Sequence, residues 1–164
     1  MPAVVIDENV PMVANRKHEK ASPECAKACI QALRQSRGQI MLVDDGHRLF
    51  GKYRGKLSVT GQPGPGDAWF KWLWDNRDNR RRCRQIRITR IAGSDLDFEE
   101  FPTDPNLTTF DLDDRIFVAV AVASARNPEI LNAADTDWWP MRAAFARNGV
   151  RIRFLCEELM TDKE

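Results

Sequence analysis

Six aspartates stand where short apolar runs end or where helices begin, and carboxylates in such places can hold a hard cation. Asp7 closes the run Ala3-Val4-Val5-Ile6, and Asp44 and Asp45 close Ile40-Met41-Leu42-Val43. Asp135 and Asp137 follow Glu129-Ile130-Leu131-Asn132, and Asp114 opens a run rich in small apolar residues. Several carboxylates at one edge raise each other's pKa, so they call for a counterion. A divalent cation with oxygen ligands is the natural one. Two such ions can activate a water and stabilise the leaving oxygen of a phosphodiester. Taken singly, each aspartate reads better as a helix cap or a turn residue than as a ligand. The set gains weight from its convergence.

That convergence depends on the elements. The bounded apolar run at 3–6 predicts a strand buried on both faces, 40–43, 129–132 and 150–155 predict further strands, and Ile86, Ile88 and Ile91 predict a short alternating one. Ser22-Pro23-Glu24 is a helix start and Gly38 its stop, with Ala26, Cys29, Ile30 and Leu33 on the buried face. Further helices are expected near Pro11, over 47–56, over 68–76 with Asp67 as cap, after Asp113 or Asp114, and over 138–147 with a break at Pro140. Gly61 to Gly66 reads as a loop, 92–112 as irregular, and Trp138 and Trp139 as packing under the site. Strands alternating with helices predict one α/β domain, a three-layer α/β/α sandwich around a mostly parallel sheet. It spans 1–164, with 1–2 and 159–164 as flexible ends. In such sheets ligands bind at the carboxyl ends of the strands, where these aspartates lie.

Composition narrows the function classes. Twenty-five basic and 24 acidic residues nearly cancel, at net charge +1, so total charge names no partner. The charges are segregated, however. Residues 77–90 carry seven arginines against Asp78 alone, and 95–114 carry eight acids and no base. A basic segment beside an acidic one suits a protein that handles a polyanion through metal ions. Trp69, Trp72 and Trp74 precede the arginines; aromatic faces can stack on unpaired bases while Arg80, Arg81 and Arg82 track phosphates. Core packing and a solvated face are the plain alternatives. Cys25, Cys29, Cys83 and Cys156 lack a second close Cys or His pair for zinc, so they read as buried free thiols in a reducing cytoplasm. The acidic start does not read as a signal peptide, and no apolar run approaches the roughly 20 residues of a membrane span. No nucleophile–base set and no phosphate-gripping Gly-rich loop stands out.

Three runs taken together resemble the PIN-domain family. Val4-Val5-Ile6-Asp7-Glu8-Asn9-Val10 is similar to its opening strand with Asp, a free position and Asn. Asp114-Arg115-Ile116-Phe117-Val118-Ala119-Val120-Ala121 resembles its acidic motif at a small-residue helix, and Leu131-Asn132-Ala133-Ala134-Asp135-Thr136-Asp137-Trp138 its closing Asp-x-Asp. The resemblance implies a Mg²⁺- or Mn²⁺-dependent endonuclease acting on RNA more than DNA. Asp7, Asp114 and Asp135 would be the catalytic metal ligands, Asp137 a further ligand, and Asn9 the residue that orients Asp7. The family adds a Glu on the helix after the second strand, where this chain has Lys52. Asp44 or Asp45 is the expected substitute as metal ligand, and Lys52 joins the arginines as a nucleic-acid contact. The alternative is a weak or inactive PIN-like module that binds RNA or a partner protein. The resemblance also suggests an antitoxin-like partner and a homodimer. A phosphoacceptor domain, which Val43-Asp44-Asp45 would also suit, lacks its lysine near the last strand, where Arg151 and Arg153 stand.

Overall fold

The structure is a computed structural model that describes residues 1–19 and 21–160. Five strands form one all-parallel sheet in the order β3-β2-β1-β4-β5: β1 Ala3–Ile6, β2 Ile40–Asp44, β3 Cys83–Ile86, β4 Glu129–Asn132 and β5 Arg151–Phe154. Six helices are present among the described residues: α1 Asn9–Ala14, α2 Pro23–Ser36, α3 Arg48–Arg54, α4 Pro65–Asp75, α5 Arg115–Ser124 and α6 Arg142–Arg147. The expected α/β class and parallel sheet are therefore present. Central β1 and β2 are buried at every position, whereas the edge strand β5 alternates exposed and half-buried residues. This explains why the central strands read as unbroken apolar runs.

Right-handed crossovers set the layers. The connections β1 to β2 and β2 to β3 run one way across the sheet and bring α1, α2 and α4 together. The connections to β4 and β5 run the other way, with α5 packed beneath β1, β2, β3 and β4. The direction of winding thus reverses between β1 and β4, which opens a crevice at their carboxyl ends. α5 is buried over Arg115–Ala121, as suits a helix that is apolar nearly all round. Under the crevice Trp138, Phe110, Phe117 and Phe145 form a cluster with ring centroids 4.9–6.5 Å apart. Trp138 packs under the site as expected, while half-buried Trp139 lies against Phe154 with Arg142 over its ring.

Several local expectations are corrected. Gly64, not Asp67, is the N-cap of α4, and Asp67 sits at the third helical position, where Oδ2 accepts from Gly64 N–H at 3.0 Å. The third strand lies at Cys83–Ile86, upstream of Ile88 and Ile91. Cys25 and Cys156 are not free thiols. They form a disulfide 131 residues apart in sequence, while Cys29 and Cys83 stay free and buried. At the carboxyl end, residues 161–164 lie outside the described residues, and Met160 is buried. No helix among the described residues is long and apolar enough to cross a membrane.

Gly66 marks a tight approach of α4 to α1. A Cβ there would run into the Pro11 carbonyl of α1 and lie 2.9 Å from Asn15 Oδ1, which accepts from Gly66 N–H at 2.7 Å. Gly66→Ala is expected to destabilise the chain by roughly 2 kcal/mol, because a backbone atom cannot step aside as a side chain can. Denaturant unfolding of parent and variant measures this.

Candidate metal centre

Asp7, Asp114 and Asp135 meet in the crevice at the β1/β4 switch point, each offering a carboxylate oxygen within 4.8 Å of the others. Asp7 leaves the end of β1, Asp135 follows β4 by three residues, and Asp114 enters from the start of α5. On an octahedral Mg²⁺ at about 2.1 Å, adjacent oxygens stand about 3.0 Å apart and opposite ones about 4.2 Å, so the trio would close by at most about 1.8 Å around one ion.

Hydrogen bonds separate ligands from caps. Asp44 is a cap: fully buried, it accepts from Arg48 N–H at 2.9 Å and Leu49 N–H at 2.8 Å, and both oxygens are consumed starting α3. Asp114 stands at the N-cap of α5 but makes no capping bond, so the helix does not account for its carboxylate. Asp7 accepts from Asn9 N–H at 2.9 Å through Oδ1, while its buried Oδ2 has no hydrogen-bond partner among the described residues. A buried orphan acceptor is costly unless something compensates it. Asp135 Oδ1 accepts from Asp137 N–H at 3.0 Å, and its own N–H donates to Asn132 Oδ1 at 3.2 Å.

Asn9 does orient Asp7, but through its backbone N–H; its side-chain oxygen accepts from Ala133 N–H at 3.0 Å and ties β1 to the loop after β4. Asp137 is exposed and acts here through its backbone and its charge on Asp135. Asp45 is exposed and outside the converging trio. Neither Asp44 nor Asp45 therefore replaces the absent helix Glu.

Glu8 is a further carboxylate on the crevice, lining the same cavity as Asp7 and Asp135. It follows Asp7 at the N-cap of α1, its Oε2 is buried without a hydrogen-bond partner among the described residues, and its charge acts on all three aspartates. Lys52 Nζ lies 3.7 Å from Glu8 Oε1 and donates to the Asp113 carbonyl at 2.8 Å. The only signal in the sequence was a carboxylate at the free position of the opening motif.

Electrostatics agree with the geometry. Burial first, then the charges of Glu8, Asp114 and Asp135, holds the Asp7 carboxyl well above the usual carboxylate range. Burial, then Asp135 and Glu8, pushes Asp114 up to about 8, with Lys52 acting against them. Asp135 is also raised, chiefly by burial, and a hydrogen bond from Asp114 opposes that rise. Without a cation the cluster holds protons in its place.

The basic and aromatic stretch lies elsewhere. Cys83 pairs with Met41 and Met41 with Val4, so Arg82 sits about four residues, about 13 Å, below the level of Asp7. Arg80, Arg81 and Arg82 therefore lie at the amino end of the sheet, away from the trio. Trp69 is core and donates to Ser36 Oγ at 3.1 Å. Trp74 is already covered by Arg77 at 3.8 Å and Arg54 at 4.7 Å. Among the described residues, Lys52 and Lys56 are cations beside the crevice, the latter lining a cavity of about 330 Å³ with Asp7, Glu8 and Asp135. The chain matches no protein-family model, and searches of curated proteins and of solved structures return no match.

Proposed function

We propose that the chain is a divalent-metal-dependent endonuclease, an endoribonuclease first, that hydrolyses phosphodiesters at the Asp7, Asp114 and Asp135 crevice. One observation carries the reading. Three carboxylates converge at the switch point with one buried oxygen unpartnered, and α5 does not use Asp114 as a cap. The donors are all hard oxygens, which suits Mg²⁺ or Mn²⁺. Bound there, such a cation would supply charge neutralisation and a Lewis acid for the phosphodiester. The chain's own groups do the positioning. Asn9 N–H fixes one oxygen of Asp7 and leaves the other aimed inward. Asn132 and the backbone of Asp137 fix Asp135. Lys52 and Lys56 face incoming phosphates from α3 and the turn after it. The same proposal places the chain in the cytoplasm, with an antitoxin-like protein and a second copy of the chain as the partners that the resemblance to PIN domains implies.

The second reading, a binding module without turnover, has Lys52 in its favour, since an ammonium beside the carboxylates opposes a metal. Charge counting weighs against it. Two lysines, Lys52 and Lys56, face Glu8 and three aspartates, which still leaves a net attraction for a dication when the acids are ionised. Incubation with labelled single-stranded RNA separates the readings. Cleavage that needs Mn²⁺ and stops with a chelator supports the nuclease; RNA bound intact by clean, Mn²⁺-loaded protein supports the module. Glu8→Gln is expected to weaken Mn²⁺ binding about tenfold or more and Lys52→Gln to strengthen it, as calorimetry would show.

A further inference from the structure

A second donor cluster lies apart from the carboxylates. The sulfurs of Cys25, Cys29 and Cys156 are all buried and within 4.8 Å of one another. Cys25 and Cys29 are one turn apart on α2, and Cys156 lies just past β5. The disulfide uses Cys25 and Cys156, whose Cα atoms are 5.5 Å apart, and leaves Cys29 as a thiol against it. A disulfide needs two sulfurs, and a buried free cysteine is ordinarily a small apolar filler, as Cys83 is on β3. Three converging sulfurs are a different object.

We propose that the reduced chain binds one soft d¹⁰ cation, Zn²⁺ by class, through Cys25, Cys29 and Cys156, and that the disulfide is its metal-free oxidised form. The donor spacing suits zinc: two cysteines from one helical turn and one from a distant segment. With Zn–S near 2.3 Å in a tetrahedron, sulfurs stand about 3.8 Å apart, so Cys29 would approach by about 1 Å at most while the Cys25 and Cys156 sulfurs, once reduced, separate from their bonded contact. Cys25 lies in the first turn of α2, where the helix dipole favours an anionic sulfur. Burial, then the charge of Glu158, raises the Cys29 thiol to about 12, so the cation has to displace that proton to bind there. A dithiol reductant opens the bond by giving two electrons and two protons, which yields two thiols and the oxidised reductant. The cation then displaces three thiol protons as three metal–sulfur bonds form. In both forms the start of α2 stays joined to the segment after β5. Thiolates select soft cations, so this site does not compete with the carboxylates for Mg²⁺.

The test is a Cd²⁺ titration of the full chain, oxidised and phosphine-reduced, without oxygen. Thiolate-to-cadmium charge-transfer absorption reports sulfur ligation alone. The expected result is absorption saturating at one equivalent in the reduced parent and none in the oxidised one. Cys83→Ser should match the parent, and Cys29→Ser and Cys29→Ala should each bind at least about 100-fold more weakly. Circular dichroism checks that each variant is folded. Absence of the band in the reduced parent overturns the proposal whatever the variants do, and so does undiminished binding by a folded Cys29 variant.

Discussion

Asp114→Asn is expected to lower metal-dependent RNA cleavage by at least about 100-fold while the fold stays intact. Loss of a direct ligand should exceed the 10- to 100-fold effects typical of the groups that merely orient ligands. The fold should survive because Asp114 caps nothing: α5 starts without a side-chain bond from it. Asparagine has nearly the same shape and removes a buried charge that the apo protein already avoids by holding a proton. The metal-free variant should therefore melt at the parent temperature or above it, and the difference should grow at alkaline pH. Cleavage assays paired with thermal melts in chelator check both halves. A variant that loses activity only because it unfolds would contradict the assignment.

The second large effect is a pH dependence of opposite sign for the two forms of the protein. Asp7, Asp114 and Asp135 all have raised pKa values, with Asp114 at about 8. The unfolded chain releases these protons near pH 4. Below that pH both states are protonated and the apo fold keeps its full stability. As pH rises toward 8 the native state holds protons that the unfolded state has lost, so apo stability falls. Metal binding runs the other way. The cation must displace the protons, so affinity rises through the same range by up to tenfold per pH unit for each proton released. Melting temperatures from pH 5 to 9, in chelator and in Mn²⁺, should diverge as pH rises. Parallel curves would contradict this account of the cluster.

The sheet was legible where burial was complete. β1, β2 and β4 are short apolar runs bounded by turns, and that pattern fixed their places to within a residue. β3 was not: unlike the other edge strand β5, where Ile152 and Phe154 alternate with arginines, Cys83, Arg84, Gln85 and Ile86 show no apolar pattern and only Cys83 is buried. The apolar alternation of Ile86, Ile88 and Ile91 pointed downstream of it. The start of α4 was displaced because Asp67 bonds backward to Gly64 N–H, a partner that an isolated aspartate does not reveal. Among the aspartates, three of the expected ligands meet, and Asp44 turned out to be the cap that any single aspartate resembles. Glu8 went unnoticed because residue type alone does not tell that a side chain next to a ligand points into the same crevice. The disulfide was hidden for a related reason, since a contact across 131 residues exists only once the sheet has brought its ends together.

The most direct measurement is calorimetric titration of Mn²⁺ into the parent and into Asp114→Asn at pH 8, with labelled single-stranded RNA incubated alongside. The account predicts saturable binding and chelator-sensitive cleavage by the parent, and neither by the folded variant. No binding by a folded parent, or equal binding and cleavage by both proteins, would contradict a metal centre at Asp7, Asp114 and Asp135.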